Sequence, residues 1–185
     1  IDALRAAIDL AAEKHGPVTV LVNNAANDKR HKTEEVDEAF WDWSQAINLK
    51  AYFFACQAVI EGMRKAGGGA IVNFSSISYM MGNAGYPAYT SANGGITALT
   101  RSLAREFGPE RIRVNALMPG WVLTEKQLDM WATEEDLEEH MKKMCLKEHL
   151  KPHDITGGAL FLASDASRMM TGQALVIDGG VVVTG

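Results

Sequence analysis

Apolar positions recur at two different periods along the chain, and the switches between them divide it into alternating elements. Ile1, Leu4, Ile8 and Ala11 fall at helical spacing until Gly16-Pro17, which cannot continue a helix. Val18-Thr19-Val20-Leu21-Val22 is then a short apolar run of the kind buried on both faces in a parallel sheet, and it predicts a strand. After the polar stretch 27–33, a helical pattern runs over 38–65 with Phe40, Trp43, Ile47, Phe54 and Val59 among its apolar positions, and Gly67-Gly68-Gly69 breaks it. Residues 70–75 predict a second strand. A third helix lies between 86 and 107, striped by Ile96, Leu99, Leu103 and Phe107, and Gly108-Pro109 ends it. A third strand follows over 112–117. A last helix, 155–164, leads into strand 173–177 and the terminal turn Asp178-Gly179-Gly180.

Helix and strand thus alternate four times, which predicts an α/β chain: a parallel sheet of about four strands with helices on both faces. Between 119 and 152 the composition shifts to charged and Met-rich, with Thr133-Glu134-Glu135-Asp136 forming a helix start. An excursion of this kind after a strand commonly covers a site, so 119–152 is expected to be a substrate lid within one domain spanning 1–185. At 185 residues and 47% hydrophobic content the chain can bury one sizeable core.

Charge narrows the partners. A net charge of −5, with both signs interspersed, leaves no basic stripe for a phosphate backbone, so nucleic acid is not expected. No apolar run approaches the roughly 20 residues of a membrane span and no charged, cleavable leader opens the chain, so no membrane partner and a cytoplasmic location are expected. Cys56 and Cys145 make neither a disulfide framework nor a metal set. His140, Cys145, His149 and His153 are irregularly spaced, and no metal is expected there either. The chain opens on Ile1, inside a helical repeat and without an N-cap, which reads as the truncation of a longer parent.

In open parallel sheets ligands bind beyond the carboxyl ends of the strands. Asn23-Asn24-Ala25-Ala26 ends the first strand, where small residues admit a ligand and amides can brace backbone, although an Asn pair there also fits a plain turn. Ser75-Ser76 ends the second, and Tyr89 follows 13 positions after Ser76 at the opening of a helix. A phenol serves as acid/base only if its pKa is drawn down from about 10 toward neutrality, by a cation or by hydrogen-bond donors. Asn93 shares a helix face with Tyr89, four residues on, where a cation would do this work.

Leu21-Val22-Asn23-Asn24-Ala25, Ile47-Asn48, Ser76, Tyr89-Thr90-Ser91-Ala92, Arg113-Val114-Asn115, Pro119-Gly120 and Asp178-Gly179-Gly180, in this order over nearly the whole chain, resemble the short-chain dehydrogenase/reductases. The resemblance implies the C-terminal part of a doubly wound Rossmann-like fold, an NAD- or NADP-dependent oxidoreductase, an alcohol or carbonyl substrate, and a homo-oligomer. It makes Tyr89 the acid/base, has Ser76 hydrogen-bond the substrate oxygen, and has Asn48 anchor a water in a proton relay. Asn23, Asn24 and Ala25 would lie along the adenosine–ribose side of the cofactor. Pro119, Gly120, Val122 and Thr124 would face its nicotinamide carboxamide and phosphates, with Tyr89 and Asn93 beside them. The stretch Asn27-Asp28-Lys29-Arg30-His31 looks like family members that oxidise sugars, which makes Asp28, His31 and Trp121 substrate candidates; a solvated loop for the stretch and simple packing for Trp121 are the more ordinary readings.

The chain departs from the family pattern in two ways. Asn93 stands where the family has a Lys that lowers the tyrosine pKa and bonds the nicotinamide ribose. No Gly-rich strand-turn-helix precedes the Asn-Asn-Ala segment, so the half that receives the pyrophosphate is expected to be missing. Two readings follow: an oxidoreductase with Ser76, Tyr89, Asn48 and Asn93 at its centre, or a non-catalytic remnant of the fold that serves packing or partner binding.

Overall fold

The computed structural model describes residues 1–130 and 132–183. The first helix, α1 (Asp2–His15), ends at Gly16, and strand β1 (Val20–Asn23) follows. Helix α2 (Glu38–Gln45) passes through a π turn, Ala46–Lys50, into α3 (Ala51–Lys65). The single helix expected over 38–65 is therefore two α-helical pieces offset by one residue, since the Ala51 N–H bonds back five residues to the Ala46 carbonyl. Then come β2 (Gly69–Phe74), the short α4 (Ser78–Met81), α5 (Pro87–Phe107) and β3 (Ile112–Pro119). Helices α6 (Glu125–Met130) and α7 (Glu134–Lys143) make up the excursion, and α8 (Pro152–Ala163) and β4 (Ala174–Ile177) close the order. The polar spacing of 125–130 hides α6, and α8 starts three residues earlier than expected because Pro152 occupies its first position, where a missing N–H costs nothing.

The four strands pair in sequence order, β1-β2-β3-β4, all parallel. This is the parallel sheet that the alternation predicts, and it matches the C-terminal part of the Rossmann-like fold that the resemblance implies. Alternate side chains of the two central strands enter different cores. Ile71, Ile112 and Val114 pack with Cys56, Val59, Ile60 and Met63 of α3 and with Leu103 and Ala104 of α5. Val72 and Leu117 pack on the other face with Ile155 and Leu162 of α8. On β1, Leu21 joins the α3 side while Val20 and Val22 stay 44% and 45% exposed. Among the described residues no helix is long and apolar enough to cross a membrane.

Two of the sequence motifs turn out to stitch the sheet together. Arg113 donates from Nη1 to the Leu162 carbonyl at 3.0 Å and from Nη2 to the Ser164 carbonyl at 3.1 Å, which covers the carbonyl end of α8. Asn115, fully buried, donates to the Met170 carbonyl at 2.8 Å and accepts from the Gln173 N–H at 3.1 Å, holding the approach to β4. In the terminal motif both Asp178 carboxylate oxygens accept backbone N–H groups, from Gly180 and Val182. Gly179 and Gly180 take positive φ there, and a Cβ on Gly179 would lie 2.4 Å from Met144. Asn115→Ala removes the partner of a part-buried carbonyl and a part-buried N–H, and leaves a void at a fully buried position, at up to about 1–3 kcal/mol for each lost bond. A loss of about 2–4 kcal/mol is therefore expected by urea unfolding.

Candidate active site

A cleft of ≈ 760 Å³ opens at the carboxyl ends of β1, β2 and β3. The ladder between β2 and β3 continues past the sheet: the Ser75 N–H donates to the Leu117 carbonyl and the Ile77 N–H to the Pro119 carbonyl. Both strand ends are therefore held in register where they meet the cleft. Ser76 lies between these bonded residues, and its Oγ accepts the Ser78 N–H at 3.1 Å, which leaves the hydroxyl proton to be donated elsewhere.

Tyr89 comes from the first turn of α5, which is fixed from outside. Gln45 donates to the Ala88 carbonyl at 2.9 Å, and the Ala88 N–H donates to His31 Nε2 at 3.2 Å. The other His31 nitrogen, Nδ1, faces the Lys29 carbonyl at 2.9 Å. Both ring nitrogens of His31 are thus taken by backbone, and the ring also meets Phe40 edge-on. Tyr89 itself borders the cleft with Ser76, Asn48 and Asn93. Burial pushes its phenol above the ordinary value, and the Asp28 carboxylate adds to that. The opposing influences are the neutral groups of Ser76 and Asn93, which hydrogen-bond it and pull downward.

The amides at Asn48, Asn93 and Asn23 are largely committed to the protein. Asn48 clamps the backbone of Asn27, accepting its N–H at 2.8 Å and donating to its carbonyl at 3.0 Å. The π turn that carries Asn48 sets this clamp against the loop after β1. Asn93 donates to the Tyr89 carbonyl of its own helix at 2.9 Å. Its backbone carbonyl accepts the hydroxyls of Ser75 and Thr97. Asn23 points inward, donating to Asn73 at 2.9 Å, and Asn73 donates in turn to Thr100 at 3.1 Å. The Cys56 thiol beside them is pushed up to about 12 by burial and stays neutral. Asn24 borders the cleft on one side, and Pro119, Gly120, Trp121, Val122 and Thr124 on the other; Ala25 is exposed next to Ala26, which lines it.

The excursion arches over this cleft. Its neck is closed where Val122 pairs with Leu150 and the Leu123 N–H donates to the Leu150 carbonyl at 2.8 Å. Trp121 donates from Nε1 to Gln127 at 2.9 Å, Gln127 donates to Asp28 at 2.9 Å, and Lys126 pairs with Asp28 at 3.2 Å. Asp28 thereby ties α6 to the loop after β1. From α7, His140 meets Trp121 edge-on and is 8% exposed. Burial holds its imidazole below the ordinary value, and the neighbouring His149 and Lys143 push the same way. No group of three His, Cys, Asp or Glu side chains among the described residues is gathered as metal ligands are.

Three residues of the cleft wall that the sequence reading passed over, or weighed only as metal ligands, carry buried polar atoms without a hydrogen-bond partner among the described residues: Tyr52 Oη, Ser78 Oγ and His140 Nε2. Tyr52 was findable, four positions after Asn48 and so on the same helix face. Ser78 and His140 had no pattern to point to them, because α4 and the arch position them by tertiary contact.

Set beside known proteins, residues 1–182 match the family described as "Enoyl-(Acyl carrier protein) reductase". The chain is 51% identical over 181 residues to the "Probable galactose dehydrogenase GalD" of Rhizobium meliloti (strain 1021), covering 98% of this chain and 71% of that one. The chain belongs to the short-chain dehydrogenase/reductase family. It is also 45% identical over 165 residues to the D-xylose 1-dehydrogenase of Caulobacter vibrioides, covering 89% of this chain and 66% of that protein. Among solved structures, a gluconate 5-dehydrogenase from Burkholderia cenocepacia J2315, in complex with NADP and tartrate, superposes with a TM-score of 0.91 at 29% identity. That match covers 96% of this chain and 70% of that one.

Asp28 is buried enough for desolvation to push its carboxyl up, but the bonds from Gln127 and Lys126 and the Lys126 charge outweigh this and hold it below the ordinary value. A carboxylate lowered on folding contributes stability fully above its unfolded pKa of about 3.9 and loses it as pH falls through the folded value. The tie between the arch and Asp28 is thus expected to hold at neutral pH and to release in acid below about pH 4. Asp28→Ala should release it at neutral pH, read as faster amide exchange over 125–130 with β2 and β3 unchanged.

Proposed function

We propose that this chain carries the reacting centre of a nicotinamide-dependent oxidoreductase that interconverts an alcohol and a carbonyl on a sugar or polyol. The observation that carries this reading is Ser76 and Tyr89 bordering one cleft at the strand ends, in a chain of this family. The galactose and xylose dehydrogenases among its relatives support the sugar assignment.

The cleft suits the nicotinamide end of NAD or NADP. Asn24 lies on one side, the Pro119-Gly120 turn with Val122 and Thr124 on the other, and the Asn93 amide lies beneath Tyr89. When bound, that cofactor takes or gives the hydride. Ser76, its oxygen already occupied by the Ser78 N–H, donates its proton to the substrate oxygen. Tyr89 takes the hydroxyl proton on oxidation and returns it on reduction. Asn48, whose side chain is engaged with Asn27, anchors a water in the proton relay. Residues 119–152 serve as the substrate lid, with Trp121 and Asp28 as its fastenings. His31 supports α5, with both ring nitrogens engaged by backbone. Exposed Trp41, Trp43 and Phe53 on α2 and α3 offer the apolar surface for a homo-oligomer.

Two observations favour the non-catalytic alternative: the Asn93 amide, which also bonds the Tyr89 carbonyl, carries no charge, and the phenol is raised in pKa. Fluorescence titration with NADH and NADPH separates the two readings. Saturable binding of either, followed by turnover of an aldose, supports the oxidoreductase. A folded protein that binds neither supports the remnant. In the enzyme, Asn93→Lys should raise kcat about tenfold or more at neutral pH by lowering the phenol pKa, and Tyr89→Phe should lower it at least about 100-fold.

A further inference from the structure

Asp28 stands in the loop after β1, and the chain on either side of it is pinned. Before it, Asn27 has its N–H and its carbonyl held by the Asn48 side chain at 2.8 and 3.0 Å. After it, the His31 N–H donates to the Gly85 carbonyl at 2.8 Å, and the His31 ring accepts the Ala88 N–H at 3.2 Å. The carboxylate is aimed as well as anchored. Lys126 donates to Oδ1 at 3.2 Å and Gln127 to Oδ2 at 2.9 Å, while Trp121 fixes Gln127 in turn at 2.9 Å. These two bonds and one from its own backbone N–H leave capacity among the roughly four acceptor positions of a carboxylate. The side chain is 20% exposed and borders the cleft that holds Ser76 and Tyr89, so that capacity is open to a ligand there.

A carboxylate at this place has a cost. After burial, the Asp28 charge is the next influence that opposes ionisation of Tyr89. Fastening the arch does not require that cost, because a neutral side-chain amide also accepts from Lys126 and Gln127. What the carboxylate adds is strength as an acceptor: hydrogen bonds to an ionised oxygen are about twice as strong as those between neutral groups. Hydroxyls of a ligand benefit from this directly.

We propose that Asp28 is a specificity-determining residue: it accepts the hydroxyl on the carbon next to the reacting one, so that the site selects a vicinal diol over a lone alcohol or a deoxy sugar. This rests on the reading of Ser76 and Tyr89 as the reacting pair. The reacting oxygen sits at Ser76 and Tyr89, and the neighbouring hydroxyl donates to the remaining acceptor positions of Asp28. Because the same carboxylate holds Lys126 and Gln127, a bound diol adds a bridge between the loop after β1 and α6. Recognition of the second hydroxyl and closure of the arch thus reinforce each other. Asp28 stays ionised throughout, and no bond is made or broken at it.

With NAD or NADP supplied, the parent is expected to use galactose about 10- to 100-fold better than 2-deoxygalactose in kcat/KM, the range of one charge-assisted hydrogen bond. Asp28→Asn, close to isosteric, should bring the two sugars within about threefold of each other. Lys126→Met loosens the arch without removing the acceptor and should keep the preference. Loss of the Asp28 charge also relieves Tyr89, but that change and any loosening of the arch act on both sugars and cancel in their ratio. Without cofactor, galactose should slow amide exchange over 125–130 more than 2-deoxygalactose does, in the parent and in Lys126→Met. In Asp28→Asn the two sugars should have equal effect. If Asp28→Asn does not fold, Asp28→Ser removes the same charge and serves in its place. A preference that survives loss of the carboxylate, or that falls equally in Lys126→Met, overturns the proposal, as does a parent that treats the sugars alike in both measurements. Absence of turnover in every variant, with the exchange difference present and dependent on Asp28, counts against the oxidoreductase reading and supports the assignment of Asp28.

Discussion

The backbone ladder joining β2 to β3 does not stop with the sheet, and the geometry of the cleft depends on that continuation. Because Ser75 and Ile77 donate to Leu117 and Pro119, the loop bearing Ser76 and the turn at Pro119-Gly120 diverge from a common, fixed origin. Parallel pairing puts both strand ends on the same side, and cores on the two faces prevent the strands from sliding. Position is thereby set for side chains separated by more than 40 residues in sequence.

Around that origin, neutral amides and hydroxyls do the bracing. Asn23, Asn73 and Thr100 cross from β1 through β2 to α5, Ser75 and Thr97 meet at the Asn93 carbonyl, and Asn48 holds the loop at Asn27. In a buried setting such groups are costly unless paired, and here each pairs with another element. The contrast with the sealed atoms of Tyr52, Ser78 and His140 is therefore meaningful. Those three lie on the cleft wall and the network does not reach them.

Hydrophobic period was enough to read the alternation of elements, because buried parallel strands are short apolar runs and the helices carry clear stripes. It could not show the π turn at 46–50, whose extra residue leaves the apolar pattern of the flanking helix nearly intact. It also missed α6, which is held by Gln127 and Lys126 reaching Asp28 about 100 positions away instead of by an apolar face. Ser76 and Tyr89 were singled out by their place after a strand together with the family resemblance, and both border the cleft. The motif residues Arg113, Asn115 and Asp178 were legible too, yet their contacts are structural: they close the carbonyl end of a helix, the approach to a strand and a turn. His31 was legible only as a polar residue near the mouth, and its two backbone partners are a matter of tertiary placement.

The π turn has a consequence for how this chain can tolerate change. It makes α2 and α3 two helices out of phase by one residue, joined without a break. Losing a single residue from that turn would restore an ordinary helix, and the sheet and both cores could survive it. The same loss would rotate everything on one side by about 100° relative to the other, given 3.6 residues per turn, so that Asn48 and Tyr52 could no longer both face the cleft while α2 kept its seat against α5. A length polymorphism at this one point would separate the protein's ability to fold from its ability to shape this cleft.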